Sequence, residues 1–234
     1  MFCSDKILEL MMNKNHGHLD ISETWITHLP EELYVRGDLI LNRHIKKLPD
    51  KLIIDGNLDL RNTQVDLQYT SRLTVGGNLY TGPRTTGFKW VVDVGGDLDL
   101  RASKFLQSID NGCLVVMGNL YLGKNNTLIT SMRPTVGVAG NLILQGSRIE
   151  KFSPGRFIHA KSIDLSYSAI KQLPDEFVVY GDLNVSNTSL TKFPNKMVIL
   201  GNLDIRGTKL PCVQKGVTVL GDAITDKGII RCKD

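Results

Sequence analysis

Alanine is nearly missing from this sequence: five residues in 234, against 67 Leu, Ile and Val. Alanine is the best helix former and the β-branched residues favour strands, so a mostly helical architecture is excluded. Cysteine is equally sparse. Cys3, Cys113, Cys212 and Cys232 form no C-x-x-C pair, which excludes a disulfide scaffold and denies zinc its usual ligand spacing. No apolar run approaches the roughly 18 residues of a membrane-spanning helix. The opening MFCSDKILELMMNKNHG interrupts its short apolar run with charges, unlike a secretory signal peptide. Strong charge of one sign is lacking too, since 28 basic and 24 acidic side chains leave a formal +4. That balance permits a polyanionic partner without pointing to one. These absences predict a cytoplasmic, β-rich protein with no membrane association.

Glycine is plentiful, at 22 residues, and it is regularly placed. A Gly-(Asp/Asn)-Leu-x-Leu motif recurs as GHLDI at Gly17, GDLIL at Gly37, GNLDL at Gly56, GNLYT at Gly77, GDLDL at Gly96 and GNLYL at Gly118. It continues as GNLIL at Gly140, KSIDL at Lys161, GDLNV at Gly181, GNLDI at Gly201 and GDAIT at Gly221, with steps of 19 to 22 residues. Between starts come a polar turn, an aliphatic residue, Leu-Pro in the best copies, and an alternating apolar pair such as Leu33 and Val35.

Alternation in Leu-x-Leu puts both leucines on one face of a short strand. A unit of about 20 residues cannot bury that face alone, so the units must stack into a solenoid. Gly-Asx predicts a turn with positive φ, and proline fixes the second bend. Eleven coils at about 4.8 Å each give a body roughly 50 Å long. The period excludes hexapeptide helices, and the absence of GGxGxD excludes calcium-binding nonapeptide solenoids.

The pattern Leu-x-Leu-x-x-(Thr/Asn)-x-Ile-x-x-Leu-Pro-x-x-Leu resembles a leucine-rich repeat. In particular it is similar to the 20-residue class of bacterial ubiquitin-ligase effectors and to GDLxL arrays of tailed-phage and bacterial proteins. The resemblance covers residues 17 to 225 and leaves no room for a ligase catalytic domain. Two features depart from it. Thr24, Thr63, Ser103, Ser147, Ser168, Thr188 and Thr208 stand where the ladder Asn is usual, and the segment before each glycine reads as a strand. The expected fold is therefore an all-β, leucine-rich-repeat-like β-solenoid of about eleven coils with two parallel sheets and few helices. Residues 1–16 form a helical cap, with Ser4 as N-cap and Ile7, Leu8, Met11 and Met12 on its apolar side. Residues 17–225 form the solenoid, irregular over about 77–140, and 226–234 a terminal cap or tail. Cys212 and Cys232 lie one repeat apart, so they are a candidate disulfide; two unpaired thiols are the alternative.

Function is expected where the repeat breaks. Residues 81–94 replace the Leu-Pro half with TGPRTTGFKWVVDV, carrying Arg84, Phe88 and Trp90; the competing reading has the two aromatics filling the core. On the inner sheet, Tyr80, Tyr121 and Ile143 occupy the outward column beside glycines, with Arg101 in the next column. Such residue types suit a protein-binding surface. Elsewhere in those columns Asp59/Arg61, Asp99/Arg101 and Asp204/Arg206 can pair locally. A basic edge of Lys46, Lys47, Lys151, Lys171 and Lys192 is the alternative, suited to a phosphate backbone. None of the five histidines sits with a nucleophile at a familiar spacing. Asp59 and Asp99 fall near the carboxylate separation of inverting glycosidases, but local pairing with arginine accounts for them. The expectation is a non-catalytic module without cofactor or metal. It binds another protein through the central inner face, as a phage-encoded inhibitor of a host protein would. Nucleic-acid binding along the basic edge and end-to-end or face-to-face self-assembly are the alternatives.

Overall fold

The structure, a computed structural model, describes residues 5–87, 91–104, 113–126, 128–132, 136–152, 160–211 and 215–231. The chain winds as a parallel β-solenoid with a spacing of about 20 residues. Eleven Leu-x-Leu segments, from Leu19–Asp20 to Asp222–Thr225, lie side by side as the inner sheet. All eleven are parallel and in register, leucine beside leucine on most rungs, as in Leu39↔Leu58 and Leu79↔Leu98, with Ile163 and Ala223 in its place on two. The segments before the glycines form the outer sheet in two pieces. Six strands run from Glu32–Val35 to Gly137–Val138, and three from Phe177–Val179 to Val217–Val219. Nine coils thus carry a strand on both faces among the described residues, fewer than the eleven motif starts. The difference of two falls at the coil containing residues 153–159, which lie outside the described residues, and at the last start.

The core is the slab between the sheets. Leu58 and Leu60 face it from the inner strand, and Leu52 and Ile54 from the outer one, all essentially inaccessible. The aliphatic after each polar turn, such as Ile45, Val65, Ile149 and Ile170, closes the side. Each such residue contributes about 1.5–3 kcal/mol relative to exposure, but only because the next coil covers it.

Helix Asp5–Lys14 lies over the first coil, with Leu8 buried and Met11 and Met12 packed against the core. The expected N-cap Ser4 lies outside the described residues. At the other end the chain does more than trail off. Gly228–Arg231 turns back antiparallel onto Asp222–Thr225, so a hairpin occupies the last sheet edge.

The glycines are required for a reason other than positive φ. Gly37, Gly56, Gly77, Gly96, Gly118, Gly140, Gly201 and Gly221 all lie outside the left-handed region. Instead each N–H donates to the carbonyl of its counterpart one coil earlier, at 2.8 to 3.1 Å for Gly56, Gly77, Gly96 and Gly118. A Cβ on Gly56, Gly96, Gly118 or Gly201 would stand 2.6 to 2.9 Å from the carbonyl carbon of that earlier glycine. The close approach of successive backbones favours glycine at this position; Lys161 alone among these starts replaces it, its N–H still donating to the Gly140 carbonyl at 2.8 Å.

The Asx residue beside each glycine supplies the inter-coil ladder. The Asn57 N–H donates to Asp38 Oδ1 at 2.6 Å, Asn78 to Asn57 at 2.7 Å, Asp97 to Asn78 at 2.7 Å, and Asn119 to Asp97 at 2.7 Å. The ladder continues through Asn141, and resumes at Asp182, Asn202 and Asp222. The threonine hydroxyls at the expected ladder positions act locally instead, while Ser103 Oγ reaches the preceding coil and donates to the Gly82 carbonyl at 3.3 Å. Thr24, Thr63, Thr188 and Thr208 each donate to the carbonyl three residues earlier, at 2.6 to 2.8 Å. Ser147 Oγ is buried with no partner among the described residues.

Candidate interaction surfaces

The outward column of the inner sheet runs Asp59, Tyr80, Asp99, Tyr121, Ile143 on consecutive rungs. At about 4.8 Å per rung, Tyr80 and Tyr121 stand roughly 10 Å apart. Asp59 accepts the Arg61 backbone N–H at 2.9 Å, closing an Asx turn, and grips the guanidinium through Nε at 3.0 Å and through Nη2. Asp99 holds Arg101 in the same way, with Nε at 3.0 Å and Nη2 at 2.6 Å. The held guanidiniums then lie over the next tyrosine: Arg61 is 5.1 Å from the Tyr80 ring centroid and Arg101 is 4.8 Å from that of Tyr121.

The glycine of each tyrosine coil makes room for this. A Cβ on Gly123 would meet the Arg101 side chain at 3.5 Å, and one on Gly82 would meet the Arg61 carbonyl oxygen at 2.7 Å. The tyrosines are therefore half-buried beneath arginine, whereas the sequence columns place them exposed beside glycines. Their hydroxyls tie into the Asx ladder. Tyr80 Oη accepts from Asn78 Nδ2 at 3.1 Å, and Tyr121 donates to Asp97 Oδ2 at 3.4 Å.

Partial burial pushes the Asp59 and Asp99 carboxyls up, but the hydrogen bonds and charge of Arg61 and Arg101 outweigh it, and both sit below the ordinary carboxylate value. Both are thus ionised salt-bridge partners at neutral pH. Burial, and then the Asp97 charge, raise the Tyr121 hydroxyl above its usual value. Asp204 and Arg206 repeat the ion pair, but the next rung presents Ile224 instead of tyrosine. The Asp-Arg-Tyr unit is confined to the centre of the described column.

Arg84 is exposed one turn beyond Tyr80, where Gly82 N–H donates to Thr85 Oγ1 at 3.0 Å. Phe88 and Trp90 lie outside the described residues, as do Cys212 and Cys232. The basic edge does not form one line. Lys46 and Lys47 are exposed on the second coil, but Asp66 and Thr86 pair at the following coils. Lysine returns only at Lys151, Lys171 and Lys192, and Lys171 is bridged to Glu150 at 2.9 Å.

One region escapes the column patterns. Trp25 is 72% exposed and stacks on His44, ring centroids 5.0 Å apart. Together they stand beside a recess of about 630 Å³ over the second coil, whose floor includes Leu41 and Asn42. The signal is small: three residues, 42–44, separate the buried aliphatics of this turn, against four in the coils before and after. Asn42, almost wholly buried, compensates for the shortening. Its Nδ2 donates to the Thr24 and Ile26 carbonyls at 3.0 and 2.9 Å, and its Oδ1 accepts from His44 and Ile45 N–H at 2.8 and 3.2 Å.

Among the described residues, no group of three or more His, Cys, Asp or Glu side chains is placed to hold a metal ion. No helix there is long and apolar enough to cross a membrane. Comparison with family models, with curated proteins and with solved structures finds no match to this chain.

Proposed function

We propose that this chain is a non-catalytic binding module that recognises another protein through the central inner face. The observation that carries the reading is the doubled Asp-Arg-Tyr unit at Asp59-Arg61-Tyr80 and Asp99-Arg101-Tyr121. Arginine and tyrosine are the side chains that most often dominate protein interfaces. Free in solution, an arginine loses rotamer entropy when it is fixed by a partner. Here the aspartate fork and the tyrosine face hold it beforehand, so that cost falls on folding and not on binding. Ile143 extends the patch by one apolar rung, and Arg84 borders it. The leucine-rich-repeat character of the coils leads the same way, since stacked repeats offer broad rigid surfaces to partners. An inhibitor of a host protein, encoded by a phage, would use such a surface.

The test is affinity capture from bacterial lysate with the wild-type chain and with Tyr80→Ala/Tyr121→Ala. Proteins held by the wild type and lost by the variant, at unchanged thermal stability, support the reading. Equal retention of every specific partner by the variant removes this face.

A further inference from the structure

We propose that the recess over the second coil is a binding site for a neutral, polyhydroxylated ligand, the sugar residues of a glycan. Three observations converge there. The first is a platform: the Trp25 indole is 72% exposed and held at an angle of 30° to the His44 ring. The negative face of an indole attracts the polarised C–H groups on one side of a pyranose, and the ring supplies apolar area at little cost in entropy.

The second is volume. About 630 Å³ lies within the range of small-ligand sites. On the far side of His44 a second groove of about 630 Å³ follows the Leu-Pro bends, past His28, Glu31, Lys46, Lys47 and Asp50. His44 lines both, so the two can take successive residues of one oligosaccharide.

The third is the unspent polar rim. Glu23, Arg43 and Asn62 line the recess, and among the described residues their side chains have no hydrogen-bond or ionic partner. They offer carboxylate acceptors, guanidinium donors and an amide that does both. A sugar hydroxyl is itself both donor and acceptor, so it can use every one of them.

Charge and shape discriminate among ligand classes. Glu23 offsets Arg43 in the recess, while Glu31 and Asp50 offset Lys46 and Lys47 in the groove. A nucleic acid draws most of its affinity from net positive charge, which this balance withholds. A peptide anchors through apolar side-chain pockets, yet Leu41, the one aliphatic lining the recess, is fully buried. An uncharged polyol fits both conditions.

The experiment titrates the full chain with maltohexaose, cellohexaose and chitohexaose, followed by tryptophan fluorescence and calorimetry, with oligo-dT as a polyanion control. Trp25→Ala is the diagnostic variant and Trp90→Phe isolates the Trp25 signal. At least one neutral hexasaccharide is expected to bind in the micromolar-to-millimolar range, with affinity insensitive to added salt. Trp25→Ala is expected to weaken it by about tenfold, while Trp25 exposure leaves the melting temperature unchanged. Absence of binding up to about 10 mM, equivalent to only a few kcal/mol, overturns the proposal. So does binding that survives Trp25→Ala, or binding of oligo-dT alone with steep salt dependence. The Tyr80→Ala/Tyr121→Ala chain serves as a control that should bind the sugar normally, so failure of this site and failure of the central face remain separable.

Discussion

The first six coils and coils seven to ten build the turn after the inner strand in different ways. In the later coils the second turn residue is left-handed: Gly146, Tyr167, Asn187 and Gly207, with φ of 55° to 67°. That conformation turns its N–H towards the next coil. Gly146, Tyr167 and Asn187 donate to the carbonyls of Ser166, Ser186 and Arg206 at 2.7 to 3.0 Å, and Gly207 donates to the Asp226 carboxylate. Each later coil therefore gains one extra bond to its neighbour, which locks the turn to one length. Among the described residues the first six coils have no left-handed residue at this place. Their turns are free to vary, and they do: the short turn at 42–44 makes the recess, and Asn126 braces a longer coil by donating to Leu100 and Ser103 carbonyls at 2.7 and 2.8 Å. Regularity is bound up with the extra bond, and Trp25, Tyr80 and Tyr121 lie on coils where the bond is missing.

The sharpest way to probe this difference uses two glycines. Gly118→Ala in the sixth coil drives a Cβ to 2.6 Å from the Gly96 carbonyl and is expected to cost about 3 kcal/mol by overpacking. Gly146→Ala in the seventh has open space around its Cβ but a left-handed φ, and should cost about 1 kcal/mol. Urea unfolding measures both, and equal losses would contradict the distinction between approach and conformation. Next in size is Asn42→Ala, which strips partners from buried backbone groups in the shortened turn. About 2 kcal/mol is expected, against about 0.5 kcal/mol or less for Ser186→Ala in the regular half, whose backbone bond to Asn184 survives. The smallest effect has the opposite sign. Tyr167 is a bulky residue in a left-handed turn, so Tyr167→Gly should relieve strain and raise stability by about 1 kcal/mol, less what glycine adds to the freedom of the unfolded chain. A loss there would mean that the exposed ring contributes contacts that outweigh its backbone strain.

The coil period, the inward leucines and the parallel outer strands were legible in the sequence because each repeats many times, and stacking forces equivalent residues into register. The local Asp-Arg pairs were legible too, since a separation of two on a strand places both side chains on one face. The reason for the spine glycines was not. A left-handed turn and a close backbone approach both demand glycine, and composition alone cannot separate them. The arginine-over-tyrosine stacks cross from one coil to the next, so reading columns one at a time misses Arg61 above Tyr80. The Trp25 recess hides for the opposite reason. It arises from a single missing turn residue in the second coil, a change no larger than the ordinary scatter of 19 to 22 residues between starts.

That scatter has a further consequence through the Gly-Asx spine. From Gly37 to Gly140 every coil advances by one glycine-to-glycine bond and one Asx-to-amide bond, whether it holds 19 residues, as from Gly37 to Gly56, or 22, as from Gly96 to Gly118. Axial length is thus counted in glycines and not in residues. A longer coil spends its surplus sideways, as a bulge on the flank, and leaves the pitch of the stack untouched. The inner face becomes a ruler whose marks stay evenly spaced while the opposite side is free to change, so a partner measured against Tyr80 and Tyr121 would find the same spacing however the flanks are rebuilt.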